Sequence, residues 1–231
     1  ELYKNCKSIC VFGDDNQNIY KFRGSNIKYI LNFKDYFDDI KVYNLVINYR
    51  CNKSIVELAN KSISNNTNKI EKNMVSNNKL ENKPKVLRFK NFFDEIKFVS
   101  NSIKRDIYEK MIKPESIAIL CRSNQPLFYL EEMLISIGIN TIFISSEHRS
   151  SLLIKKGSVV ISTIHSSKGL EWEKIYLIGL NENFFPSIKN YENLEEERRL
   201  FYVAITRCKD ELVLTYNKSN LASIFLTEVN E

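Results

Sequence analysis

From Pro84 to Tyr216 the chain alternates between two apolar patterns. Short apolar runs predict strands: "KVLRF" (Lys85–Phe89), "SIAILC" (Ser116–Cys121), "TIFI" (Thr141–Ile144), "SVVIST" (Ser158–Thr163), "KIYLIGL" (Lys174–Leu180) and "ELVLTY" (Glu211–Tyr216). Apolar positions at helical spacing over Asp94–Lys110, Pro126–Ile137 and Leu194–Cys208 predict helices among them. Strands that alternate with helices argue for an α/β domain with a mainly parallel sheet. In such a sheet the ligand site lies beyond the carboxyl ends of the strands.

Upstream of Pro84 the pattern is less regular. Ser8–Phe12 is a short apolar run that stops at Gly13 and predicts a buried strand. Ile27, Ile30, Leu31 and Phe33 predict a helix over Asn26–Phe37, and "VYNLVIN" (Val42–Asn48) predicts a second strand. "SIVELANKSI" has helical spacing. The polar, Asn-rich stretch Ser64–Lys83 reads as a surface excursion or a partly disordered segment.

Composition narrows the class without naming a function. At 231 residues, with 43% hydrophobic and 27% charged residues, the chain can bury a core and form one or two domains. No apolar run reaches the roughly 18–20 residues that a membrane span needs. The start, "ELYKNCKSIC", carries no signal-peptide pattern and runs at once into an apolar stretch, so the chain is expected to begin inside a domain. Five scattered cysteines without a Cys-x-x-Cys spacing fit reduced thiols in an intracellular protein, cytoplasmic or nuclear. With only two histidines, no metal site is expected. A net charge of +6 is compatible with nucleic acid but does not specify it.

Four stretches carry candidate chemistry. "VFGDDNQNIYKFRGS" (Val11–Ser25) has acids, amides and aromatics packed behind a predicted strand. Asp14, Asn16 and Asn18 have calcium-loop spacing, but Ile19 stands where the turn needs Gly and Ser25 where a Glu is needed. The phosphate-loop pattern G-x-x-x-x-G-K-[ST] is absent here and throughout the chain. "INYR" (Ile47–Arg50) ends a predicted strand with an aromatic beside an arginine. "STIHSSKGLEW" (Ser162–Trp172) sets hydroxyls, a His and a Gly after another, where backbone amides suit phosphate oxygens or where a capped turn satisfies the His. In "LEEERRLFYVAITRCK" (Leu194–Lys209), Glu195 and Arg199 are an i,i+4 pair suited to a solvated face. Arg207 follows an apolar stretch that tethers its backbone, so its head is expected to emerge at an edge as a phosphate ligand.

In this order the stretches resemble the second half of the UvrD/Rep-type superfamily 1 DNA helicases. "VFGDDNQNIYKFRGS" is similar to motif III and "LVINYRCNKSIVELAN" to motif IV. "VVISTIHSSKGLEWEKIYLIGL" with the downstream "FFPS" is similar to motif V and its sequel, and "EEERRLFYVAITRCK" to motif VI. The resemblance implies a RecA-like P-loop NTPase fold, in which ATP sits between two such domains and single-stranded DNA crosses them. Residues 1–38 would be the C-terminal remnant of the first domain and 39–231 the second, without a large helical insertion before motif V.

The resemblance also implies roles. Gln17, Arg50 and Arg207 would act at the γ-phosphate, with Gln17 linking the ATP and DNA sites. Tyr49, Gly169 and Glu171 would bind the nucleotide, Tyr49 by stacking on adenine and Glu171 at the ribose. Tyr20, Phe22, Arg23, Thr163 and His165 would meet DNA; the family usually has Trp where Phe22 stands. The implied cofactor is ATP with Mg²⁺, whose metal ligands lie mostly outside this chain. The implied partners are single-stranded DNA or a duplex junction and an N-terminal RecA-like half, in cis or in trans, with no membrane. The implied activity is a 3′-to-5′ helicase or translocase, of which this chain would be an inactive piece when alone. A non-catalytic nucleic-acid-binding or regulatory module is the alternative.

Overall fold

Parallel strands need a crossover between neighbours, and the alternating pattern after Pro84 supplies most of them. The structure, a computed structural model, describes residues 8–36, 39–144, 156–187 and 192–230. The first part contains α1 (Lys28–Leu31), β1 (Ile47–Asn48), α2 (Lys53–Ser64) and β2 (Val75–Ser76), with β1 and β2 paired in parallel. Then come β3 (Lys85–Phe89), α3 (Phe92–Tyr108), β4 (Ile117–Cys121), α4 (Gln125–Ser136), β5 (Thr141–Ile144) and β6 (Val159–Thr163). The chain continues through α5 (Ile164–Ser167), β7 (Trp172–Leu177), α6 (Leu194–Ile205), β8 (Cys208–Asn217) and α7 (Ile224–Asn230). The main sheet runs β3-β8-β7-β4-β6-β5, parallel at every pairing.

The side-chain period of two divides this sheet between two cores. Ala118 and Leu120 of β4 join a core with α2, α6 and α7, while Ile117, Ile119 and Cys121 join a core with α3 and α4. Every residue of β4 is buried, as a central parallel strand covered on both faces requires. Two of the asparagines cap helices: Asn52 Oδ1 accepts from Ile55 N and Asn91 Oδ1 from Asp94 N, both at 2.9 Å. Buried Glu95 of α3 accepts from Gly179 N (2.9 Å), Thr215 Oγ1 (2.6 Å) and Asn217 Nδ2 (2.7 Å). It thereby ties that helix to the carboxyl ends of β7 and β8. Gly179 has φ +72°, and a Cβ there would lie 2.9 Å from Phe184.

The sheet and its helices follow the sequence pattern closely, whereas the first part departs from it. Ser8–Phe12 is not a strand, and Val11 and Phe12 are exposed. A strand needs a ladder partner, and the main sheet is built wholly from Lys85–Asn217. In the predicted strand Val42–Asn48 only Ile47–Asn48 pairs, leaving Tyr43 and Leu45 exposed. The predicted helix Asn26–Phe37 shrinks to α1 and a 3-10 turn, Phe33–Tyr36, with its end outside the described residues. Ser64–Lys83 is an ordered strap, tied down by side-chain hydrogen bonds from Asn66 to Asn82. Most of the connector Ser145–Ser158, where a helical insertion is not expected, lies outside the described residues.

Candidate functional site

Two groups of side chains gather around the turns that precede α2 and follow α5 and α6. The first begins at Asn48, whose side chain accepts from the backbone N–H of Arg50 and of Cys51, both at 2.9 Å. This local turn ends β1 and leaves Tyr49 exposed. Arg50 Nε donates to Glu171 Oε2 at 2.5 Å and its Nη1 to Thr206 O at 3.3 Å. Tyr49, Arg50 and Glu171 line an open cleft of 440 Å³. Gly169, at φ +89°, makes the turn that carries the chain from α5 to Leu170 and Glu171. Only glycine adopts that conformation without strain.

Arg207 stands beside this cleft, directly after α6. Its apolar tether works as expected, but its head does not emerge: the residue is 2% exposed. Its Nε donates to Val203 O (3.1 Å), Nη1 to Leu170 O (3.3 Å) and Nη2 to Thr206 Oγ1 (3.3 Å). Burial, and next the neighbouring Arg50 charge, lower its pKa to about 10. Glu171 faces two other cations, Arg50 and Lys209, the latter at 3.1 Å. Against the cost of its own burial, Lys209 and Arg50 hold its carboxyl below the usual range. Arg50 and Lys209 thus share Glu171, Lys209 also reaches Glu173 at 3.5 Å, and Arg207 has no carboxylate within ion-pair distance among the described residues, which leaves its charge suited to a phosphate.

The second group is aromatic and basic. The rings of Phe22 and His165 meet edge-on at 5.5 Å between centroids, and Tyr20 lies 6.0 Å from Phe22. Arg23 sits over both the Tyr20 and Phe22 rings, at 5.8 and 5.6 Å. Tyr20 Oη donates to His165 O at 3.0 Å, and Thr163 Oγ1 caps α5 by accepting from Ser166 N at 3.3 Å. These residues line a cavity of 720 Å³ whose other wall includes Arg122, Asn124 and Glu197. Arg122 grips Glu197 with two nitrogens, at 3.0 and 2.7 Å. Burial, and then Arg122, lower the pKa of His165 to about 4, so the ring is neutral at physiological pH.

Gln17 lies between the groups without joining either directly. Its side-chain Nε2 donates to Asp14 Oδ2 at 2.5 Å, and Lys168 Nζ donates to its backbone carbonyl at 2.7 Å while lying 5.1 Å over the Tyr20 ring. The turn Asp15–Gln17 packs on α6. There the buried phenol of Tyr202 is raised by burial and by Asp14, and it also feels the Arg207 charge. Asp15 faces no cleft: it is fully buried and bonded to Lys72 Nζ and Ile70 N. Arg199 is likewise covered by the strap rather than solvated, with Nη2 donating to Asn68 O at 2.6 Å.

The structure therefore brings Tyr49, Arg50, Glu171 and Arg207 together, and separately Tyr20, Phe22, Arg23, Thr163 and His165. Sequence reasoning missed Arg122 and Asn124. Their place at the carboxyl end of β4 was the signal that could have found them. It also missed Lys72 and Lys168.

The UvrD-like helicase C-terminal domain family matches residues 43–148 and 143–219, and the UvrD/REP helicase N-terminal domain family matches residues 1–38. The chain belongs to the UvrD-like helicase family. The ATP-dependent DNA helicase PcrA of Bacillus subtilis is 36% identical over 140 residues, which cover 61% of this chain and 19% of that protein. A probable DNA helicase of Mycoplasma pneumoniae is 27% identical over 214 residues, 90% of this chain and 38% of that protein. The chain thus spans well under half the length of these relatives. The crystal structure of the C-terminal domain of a possible DNA helicase from Lactobacillus plantarum has the same fold. It superposes with a TM-score of 0.55 at 22% identity, over 80% of this chain and 95% of that one.

Proposed function

We propose that this chain is the γ-phosphate-sensing part of an ATP-dependent DNA helicase or translocase of 3′-to-5′ polarity. In this reading residues 1–38 are the end of a first RecA-like domain and 39–231 form the second. The observation that carries it is a pair of neighbouring guanidinium groups of which only Arg50 has a close carboxylate, Glu171; among the described residues Arg207 has none within ion-pair distance, while burial and Arg50 lower its pKa to about 10. Such a pair is short of an anion, and a planar guanidinium fork matches phosphate oxygens where lysine does not. Tyr49 is an exposed aromatic at the mouth of the same cleft and suits an adenine face. Phosphoryl transfer depends on positioning and charge stabilisation, and an arginine supplied from a facing domain contributes roughly 10³–10⁵ in rate.

The aromatic group suits a nucleic acid strand. Phe22, exposed and flanked by the Tyr20 and His165 rings, can stack a base, and a neutral His165 can approach bases without carrying a charge. Stacking contributes about 1–3 kcal/mol per base and is tolerant of sequence, which a motor stepping over any DNA needs. In this reading the acidic residues that hold Mg²⁺ lie mostly outside this chain, and the phosphate-loop pattern is absent from its sequence. The chain alone is therefore expected to bind single-stranded DNA and not to hydrolyse ATP.

The test is fluorescence anisotropy of a labelled oligo-dT at two salt concentrations, run beside an ATPase assay. Affinity is expected to fall with salt and to drop about tenfold or more in Phe22→Ala. Salt-independent binding, or ATP hydrolysis by the chain that survives Arg207→Ala, would overturn the reading.

A further inference from the structure

Gln17 is the side chain of the opening loop with the most specific role in the proposed function, yet its amide is held by a group that role does not include. Asp14 divides its carboxylate among three partners, the backbone N–H of Asn16 donating to Oδ1 at 3.2 Å. Oδ2 accepts from Gln17 Nε2 at 2.5 Å, and Oδ1 accepts from Lys72 Nζ at 2.8 Å. Lys72 Nζ also reaches Asp15 Oδ1 at 2.5 Å, and the second Asp15 oxygen accepts from Ile70 N at 2.8 Å. Two adjacent carboxylates, one of them fully buried, thus share one ammonium whose side chain is 15% exposed. Burial opposes the Lys72 charge, but the bonds to Asp14 and Asp15 outweigh it and raise the lysine above its usual value.

Lys72 reaches this loop from the strap, which is fixed by other contacts. Thr67 N and Asn68 Nδ2 donate to Glu195 at 2.7 and 2.9 Å, and Asn60 exchanges hydrogen bonds with the Met74 backbone at 2.8 and 3.1 Å. The strap is thus pinned to α6 and α2 on either side of Lys72. Its ammonium is delivered to the loop by anchors that do not depend on it.

We propose that Lys72 is a positioning residue for Gln17, acting through Asp14: it keeps the two carboxylates side by side, and Asp14 in turn orients the Gln17 amide between the arginine pair and the aromatic pocket. Without the ammonium, Asp14 and Asp15 repel one another, and Asp15 is a buried charge that faces the Arg199 guanidinium only beyond ion-pair distance. Asp14 then turns outward and Gln17 loses its fixed acceptor. The consequence for catalysis rests on the reading of Gln17 given above, but the positioning itself does not.

The chain has two glutamines, Gln17 and Gln125, so selective ¹⁵N labelling of glutamine side chains yields two amide pairs and reports on Gln17 without ATP or DNA. In the unmodified chain the Gln17 pair is expected to be displaced from solvent values and slow to exchange. Lys72→Met is expected to move that pair to solvent values and leave the Gln125 pair in place, whereas Lys72→Arg, which keeps the charge, retains the displaced position. A Gln17 pair unmoved in Lys72→Met overturns the proposal. Asp14→Ala removes both acceptor oxygens of the relay while leaving Lys72 on Asp15. It too is expected to release Gln17, and an unmoved pair in that variant overturns the proposal even where Lys72→Met does not fold. Failure of the helicase reading shows instead in the DNA and ATPase assays, with the amide signals unaffected.

Discussion

Replacing Arg207 by Met separates what this residue does for the fold from what it does for a ligand. Burial, and then Arg50, move its pKa from 12.5 to about 10. At 1.36 kcal/mol per unit, keeping the charged form costs the fold roughly 3 kcal/mol. The folded pKa lies below the unfolded one, so the folded state holds fewer protons between about pH 10 and 12.5. Stability therefore rises with pH only in that window, and at neutral pH the whole cost is present. Against it stand the hydrogen bonds to Val203 O, Leu170 O and Thr206 Oγ1; bonds from a charged donor are worth roughly 1.5–3 kcal/mol each, and with two of the three at 3.3 Å the lower end applies. Their sum exceeds the cost by only about 1–2 kcal/mol, so Arg207→Met is expected to change stability by no more than about 2 kcal/mol. A paired buried charge would typically lose about 3–5 kcal/mol. The assay is thermal unfolding with and without pyrophosphate. At a hundredfold excess over its Kd an anion adds about 2.7 kcal/mol, which is roughly 5–10 °C for a chain of this size. That rise is expected in the parent chain and not in Arg207→Met. A fall of more than about 10 °C in the variant without anion, or equal pyrophosphate shifts in both proteins, would refute the reasoning.

Two further outcomes follow from buried groups. His165 stays neutral in the fold down to about pH 4, against an ordinary value of 6.5, because it is buried and faces Arg122 and Arg23. The unfolded chain takes up that proton first, so this residue removes stability as pH falls from about 6.5 to 4, up to roughly 3 kcal/mol. His165→Asn is expected to flatten the decline in urea-unfolding free energy over that range, and an unchanged slope would exclude the account. Glu95→Gln sets an amide N–H against one of the three donors around it, and is expected to cost about 1–3 kcal/mol. A lower urea midpoint at constant m-value is the check, and a loss under about 0.5 kcal/mol would show that the donors find other partners.

The main sheet was legible because a parallel strand covered on both faces reads as an unbroken apolar run, and Ile117–Cys121 is such a run. The arginine pair and the aromatic pocket were legible in part, since both gather at turns that follow predicted strands or helices. The first part of the chain was not. Val11, Phe12, Tyr43 and Leu45 have the pattern of strand residues and are exposed. An apolar run expresses a need for cover, and nothing in its own pattern says whether the cover is present. The helix spacing of Glu195 and Arg199 was read correctly as a contact, now 3.4 Å, but spacing along one helix says nothing of what lies above it.

What lies above it is the strap from Ser64 to Lys83, the stretch with the least pattern of any in the chain. Its polarity suggested solvent, and Lys72 was one of 34 basic residues in a Lys-rich sequence. Yet polar side chains are what such a segment needs in order to cross a helix. Against the pull of burial, Thr67 and Asn68 hold Glu195 down to about 2, and Lys72 bridges two acids that no apolar residue could cover. A polar run without periodicity can therefore be a surface loop or a hydrogen-bonded clasp. What separates the two is the presence of buried acids elsewhere in the chain, here Asp15, which require a partner from somewhere.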